Sequence, residues 1–82
     1  MATKAMKRDR QDSRRDVLRT LGAAVRACRH ERGLTQGALA DLLGVSVAYV
    51  SLIERGGRNP PFTTVVAIAQ ALGVAPRELV DD

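Results

Sequence analysis

Thr35-Gln-Gly-Ala-Leu-Ala-Asp-Leu-Leu-Gly-Val-Ser-Val-Ala-Tyr-Val-Ser-Leu-Ile-Glu54 decides how this chain folds. The stretch reads as two short helices joined by a tight turn. Thr35 can cap the first, its hydroxyl accepting from an amide one turn in. Leu39, Ala40 and Leu43 then form one apolar face. Gly44 stops the helix, where a residue of positive φ is commonly needed. Val45 turns inward and Ser46 caps the second helix, whose buried side holds Val50 and Ile53. Ala40 is small where the two helices cross most closely. Such a unit cannot bury both faces alone, so the flanking segments must cover it.

Upstream, Leu18, Leu21, Val25 and Cys28 are spaced three, four and three apart, an amphipathic stripe running to about Arg32. The spacing predicts a helix starting near Asp12 or Ser13. Gly22 weakens helix propensity there and marks a place for close packing. Gly33 ends the helix. Downstream, Gly56-Gly57-Arg58-Asn59-Pro60-Pro61 is a turn-rich loop, with Phe62 expected to anchor its end. Val65, Val66, Ile68, Ala69 and Leu72 define a fourth helix closed by Gly73. Pro76 opens a short fifth helix carrying Glu78, Leu79 and Val80. The expected architecture is all-α with five helices. Residues 1–12 are expected to form a flexible basic arm, which could equally lengthen the first helix through residues 8–16, and residues 13–82 the folded domain.

Composition agrees with one small domain. The chain has 82 residues, 45% of them hydrophobic, with one Phe and one Tyr, so the core must be aliphatic. The formal net charge of +4 is unevenly spread. Residues 1–16 carry six basic and three acidic groups, residues 17–82 seven and six. The excess charge in the arm suits either solubility or a polyanionic partner. One cysteine and one histidine exclude an internal disulfide and a multi-histidine or thiolate metal site. Cys28 and His30, two apart on a helix, point away from each other and make no nucleophile pair. With no phosphate-binding glycine motif or paired catalytic carboxylates, no enzyme and no cofactor are expected. No apolar run is long enough to cross a membrane, and no apolar secretory segment opens the chain, so a cytoplasmic protein is expected.

The two-helix pattern is a helix-turn-helix, whose second helix can enter a DNA major groove. Residues 18–80 resemble the Cro/CI-type (XRE) family of phage repressors and bacterial regulators. The resemblance rests on Gly33-Leu34-Thr35-Gln36, Leu39-Ala40, Leu43-Gly44-Val45-Ser46, Tyr49 to Gly56, Arg58-Asn59-Pro60 and Ala69 to Val74. It implies a regulator that binds double-stranded DNA as a homodimer on a near-palindromic operator, most like a small stand-alone repressor or a restriction–modification controller protein. It implies phosphate contacts from Gln36, Tyr49, Arg55, Arg58 and Asn59, though Tyr49 is equally a packing residue. Val47, Ala48, Ser51 and Leu52 would face or border the bases. None of these four is a glutamine, asparagine or arginine, so bidentate base contacts are missing. Readout would be apolar, water-mediated or shape-dependent. Arg29 and Glu54, each on an apolar stripe, would form a structural ion pair, a pairing common in the family. Val66, Leu79 and Val80 are the expected dimer contacts, closure of the monomer core being their alternative role. RNA polymerase and a toxin-like protein are the further partners considered. The competing function is an antitoxin or protein-interaction module that also binds its own promoter.

Overall fold

A computed structural model describes the backbone of residues 2–80 and the side chains of residues 13–80. The turn between the two short helices is built as its residues demand. Helix α2 (Gln36–Leu43) is capped by Thr35, whose Oγ1 accepts from the Ala38 amide at 2.9 Å. It ends at Gly44, with φ of 68°. The Val45 amide then donates back to the Ala40 carbonyl at 3.0 Å, satisfying one of the carbonyls that a helix end leaves unpaired. Ser46 caps α3 (Val47–Glu54), its Oγ accepting from the Tyr49 amide at 3.1 Å. The chain bends by 112° between α2 and α3.

Around this unit lie α1 (Ala2–Glu31), α4 (Phe62–Leu72) and α5 (Arg77–Val80). Helix α1 packs on α3, α5 and α4, while α2 packs on α3 and α4. The core is aliphatic: Leu21 and Val25 of α1, Leu39 and Ala40 of α2, Val50 and Ile53 of α3, Val65, Ile68, Ala69 and Leu72 of α4, and Leu79 of α5. Cys28 is half-buried against this cluster. Burial raises its thiol pKa, with smaller contributions from Glu31 and Glu78.

Three expectations change. Helix α1 begins at Ala2, not near residue 12 or 13. Residues 2–12 contain alanine, lysine, arginine, methionine and glutamine but no glycine or proline, so nothing in them stops a helix. The side chains of the arm, including those of Lys4, Lys7, Arg8 and Arg10, lie outside the described residues. Phe62 does not anchor the loop; it is 74% exposed, and Pro60 is buried instead. Side chains in a helix lean toward its N-terminus, so in the first turn of α4 the Phe62 ring falls past the packed body. Leu79 is wholly buried and closes the monomer core. It is thereby withdrawn from the dimer contacts, whereas Val80 remains exposed and Val66 half-buried.

Gly22 fixes how closely α1 and α3 approach. A Cβ at this position would collide with the Ile53 carbonyl oxygen and lie 2.6 Å from that of Glu54. Both obstacles are backbone, so relief requires moving the end of α3. At Gly37 an added Cβ would meet nothing nearer than 3.8 Å. Gly22→Ala should therefore lower the unfolding free energy by about 1–3 kcal/mol. Gly37→Ala should leave it unchanged or raise it by up to about 1 kcal/mol. Urea unfolding of the two variants checks both signs.

Candidate nucleic-acid interface

Helix α3 turns Val50 and Ile53 into the core, and its opposite side is open. Val47 and Ala48 are exposed in the first turn, Arg55 is exposed at the C-terminal end, and Ser51 and Leu52 are half-buried between them. The outer strip is therefore short and mostly apolar, with the Ser51 hydroxyl and the Arg55 guanidinium as its polar groups.

Cationic groups stand on both flanks of this strip. On one side is an open hollow of about 260 Å³, lined by Arg26 and Arg29 of α1, Gln36 of α2, and Ser51, Glu54 and Arg55 at the end of α3. On the other side the Tyr49 ring is half-buried against the core, with the Arg58 Cζ 5.2 Å from its centroid. Tyr49 thus packs and also carries a cation on its outer face. Asn59 is exposed next to Arg58, and Gly57 lies against Leu52. The structure brings Gln36, Ser51 and Arg55 together at the hollow, and Tyr49 together with Arg58 on the other flank.

Arg26 was not singled out from the sequence, yet it lines the hollow. Its signal is spacing: Arg15, Arg19, Gly22, Arg26 and Arg29 recur at intervals of four, three, four and three along α1. That pattern puts Arg26 on the same side of the helix as the paired Arg29.

The floor of the hollow is a buried polar network. Arg29 Nε donates to Glu54 Oε2 at 2.7 Å, and its NH2 donates to Oε1 at 3.0 Å. The two side chains are 8% and 3% exposed. Arg29 NH1 donates to the Leu34 carbonyl at 2.8 Å, and Gln36 Nε2 donates to Glu54 Oε1 at 3.1 Å. The carboxylate thus joins α1, α2 and α3 at one point. Burial pushes the Glu54 pKa up, but the hydrogen bonds from Arg29 and Gln36, with the charges of Arg29 and Arg26, outweigh it and hold the pKa below normal. The hydrogen bond to Glu54 raises that of Arg29 against the cost of burial. Gln36 is held facing the hollow by a bond that occupies only one of its amide hydrogens.

The helix-turn-helix domain family matches residues 20–82. The chain belongs to this family. An HTH-type transcriptional regulator (y4dJ) of Sinorhizobium fredii is 43% identical over 65 residues, covering 79% of this chain and 84% of that protein. The immunity repressor protein of Bacillus phage phi105 is 40% identical over 63 residues, 77% of this chain and 44% of the repressor. Among solved structures, the restriction-modification controller protein C.AhdI from Aeromonas hydrophila superposes with a TM-score of 0.73 at 40% identity, covering 76% of this chain and 94% of that one. The five helices among the described residues form the architecture of the Cro/CI-like regulators, as the sequence motifs suggested.

Removing Arg29 alone strands a buried carboxylate. Arg29→Ala should cost about 3–5 kcal/mol of stability, whereas Arg29→Met with Glu54→Leu should cost less than the single change. Glu54 also sets a pH dependence. Because its folded pKa is lowered, its contribution is complete above the unfolded value, about 4.3, and is lost as pH falls through the folded value. Acid unfolding curves of wild type and Glu54→Gln should therefore approach each other as pH falls below about 4.3, converge only below the folded value, and stay apart at higher pH.

Proposed function

We propose that this protein is a transcriptional regulator that binds double-stranded DNA sequence-specifically, as a homodimer on a near-palindromic operator in the cytoplasm. The observation that supports this best is the exposed strip of α3 with cationic groups on both flanks. A major groove is bordered by two phosphate strands, and a helix seated in it needs positive charge on either side. In this reading Gln36, Arg26 and Arg55 hold one backbone, and Arg58, Asn59 and the Tyr49 hydroxyl hold the other. Val47 and Ala48 contact thymine methyl groups, Ser51 hydrogen-bonds a base edge, and Leu52 borders the strip. The function is non-enzymatic: occupancy of the operator blocks polymerase or, with a suitable surface patch, recruits it.

Binding-site selection followed by footprinting at two salt concentrations tests the proposal. A discrete two-fold-symmetric site should emerge. Arg58→Ala, which removes one phosphate contact from each protomer, should weaken binding to matched and mismatched duplexes alike and reduce the salt slope by about 2. Equal, weak binding to unrelated duplexes would refute sequence-specific regulation.

Dimerisation in this reading uses Val80, which is 50% exposed, and the half-buried Val66. Val80→Asp should shift the species seen in sedimentation equilibrium toward monomer while leaving the helical circular dichroism intact. Leu79→Asp should unfold the domain, because that side chain is wholly buried.

The exposure of Leu42, at 62%, and Val47, at 49%, favours a second reading. In it, an apolar surface across α2 and α3 docks a toxin-like partner, and the protein binds its own promoter as an antitoxin. Co-purification with the product of a neighbouring gene, abolished by Leu42→Asp, would select this reading over the first.

A further inference from the structure

The arginine spacing on α1 continues past the part of the chain that the helix-turn-helix family covers. Arg15 and Arg19 precede residue 20, where that match begins. At 100° per residue, Arg15, Arg19, Gly22, Arg26 and Arg29 fall within an arc of roughly 80° on α1. Asp16 and Glu31 lie outside it.

Three contacts show which way this arc faces. Arg26 lines the hollow beside Ser51 and Arg55. Gly22 receives the last carbonyls of α3. The backbone of Arg19 lies against Gly56, where an added Cβ would come within 3.3 Å of it. Followed toward its N-terminus, this side of α1 passes the hollow, then the end of α3, then the turn leading into Arg58 and Asn59. The first and last of these landmarks adjoin groups assigned above to DNA: the hollow holds Arg26 and Arg55, and the turn leads to Arg58 and Asn59. Arg15 stands one turn farther out, where residues 13–17 are all exposed and α1 has left the packed body.

We propose that α1 is a second DNA-backbone element, with Arg19 and Arg15 continuing the phosphate contacts of Arg26 beyond the helix-turn-helix. The inference rests on the DNA-binding reading and assigns it additional contacts. From Arg26 to Arg15 the helix rises about 16 Å, at 1.5 Å per residue. Each DNA strand carries a phosphate about every 3.4 Å of axis, so a row of this length can meet several. The guanidiniums are exposed, all of one sign, and continuous with the positive hollow, which is the complement of a sugar–phosphate strand. They add affinity and lengthen the footprint without reading bases.

Arg19 also lies close to the carbonyl end of α3, where a cation stabilises the helix dipole. Arg15 is exposed one helical turn farther out, which separates the two roles. The test uses the full chain and the duplex recovered by selection with the wild type. Dissociation constants are measured between 50 and 200 mM salt for wild type, Arg15→Gln, Arg15→Gln/Arg19→Gln, and the charge-matched control Arg32→Gln/Arg77→Gln. In the control, Arg32 lies against Gly73 at the other end of α1, and Arg77 is on α5. Each phosphate contact contributes about 0.9 to the salt slope. In the dimer each substitution removes two contacts, so Arg15→Gln should lower the slope by about 1.8 and the double variant by about 3.6. Over this fourfold salt range, wild-type affinity should then fall roughly a hundredfold more than that of the double variant. The control should keep the wild-type slope, and the ratio of matched to mismatched binding should not change in any variant. Hydroxyl-radical protection should retreat at the outer edge of the footprint. Wild-type slopes for both α1 variants, on a duplex they still recognise, would overturn the role of α1 and leave the regulator reading standing. A changed sequence preference would overturn it as well, by showing that the arginines act through α3. Failure of the wild type to select any duplex would remove both readings.

Discussion

Arg29 has to cross from α1 to α3 and remain charged while nearly out of water, and the placement of α3 depends on it. A guanidinium in that position is tolerable only with its donors satisfied. Glu54 takes two of them and the Leu34 carbonyl a third. The same carboxylate accepts from Gln36 on α2. One acidic side chain therefore ties three helices together at the rim of the exposed strip. The apolar core sets the distance between helices but is tolerant of small rotations. A bidentate ion pair is not, because its two bonds are directional. The network therefore fixes the rotation of α3 about its own axis, and with it which residues face outward.

Gly22 acts on the same end of α3 by a different means. The missing Cβ lets α1 come against the terminal carbonyls of the helix. Dispersion and the ion pair then operate within a few ångströms of each other, with Gly56 resting on Arg19 just beyond. The outer strip is held by a rigid support rather than by a loop, which suits a surface that has to match a regular polymer.

Much of this was legible in the sequence because it follows from local chemistry. Thr35, Gly44 and Ser46 set the limits of α2 and α3 through caps that depend on neighbours a few residues away. The inward residues follow from periodicity. Features that depend on assembly were not legible. Leu79 and Val80 are adjacent apolar residues, and only the docking of α5 on α1 and α4 separates the buried one from the exposed one. Phe62 is an expected anchor at the end of the loop, but its place in the first turn of α4 leaves it exposed. Arg26 carries no signature as a single residue. It becomes meaningful when the end of α3 and Gln36 are brought beside it. The start of α1 was not legible because charge and the lack of an apolar period suit an arm as well as a longer helix, whereas the absence of a glycine or proline leaves the backbone free to continue to Ala2.

The composition of the outer strip bears on how such a protein would discriminate. A good bidentate base contact is worth about 1–3 kcal/mol of discrimination, and Val47, Ala48, Ser51 and Leu52 can supply none. Methyl contacts and one hydroxyl discriminate less per position. In the regulator reading, the affinity then comes chiefly from the charges around the strip, which are indifferent to sequence. Specificity must come from elsewhere: from the rigidity that holds the strip at one depth, from the ease with which some sequences deform to bring phosphates to the flanking arginines, and from doubling every half-site preference in a dimer. A support that fixes α3 through Arg29, Glu54 and Gly22 is what the first of these requires. With few hydrogen bonds to enforce register, a small tilt of the helix would erase the difference between a thymine methyl and its absence. The poorer the reading surface is in directional contacts, the more the discrimination depends on the framework behind it.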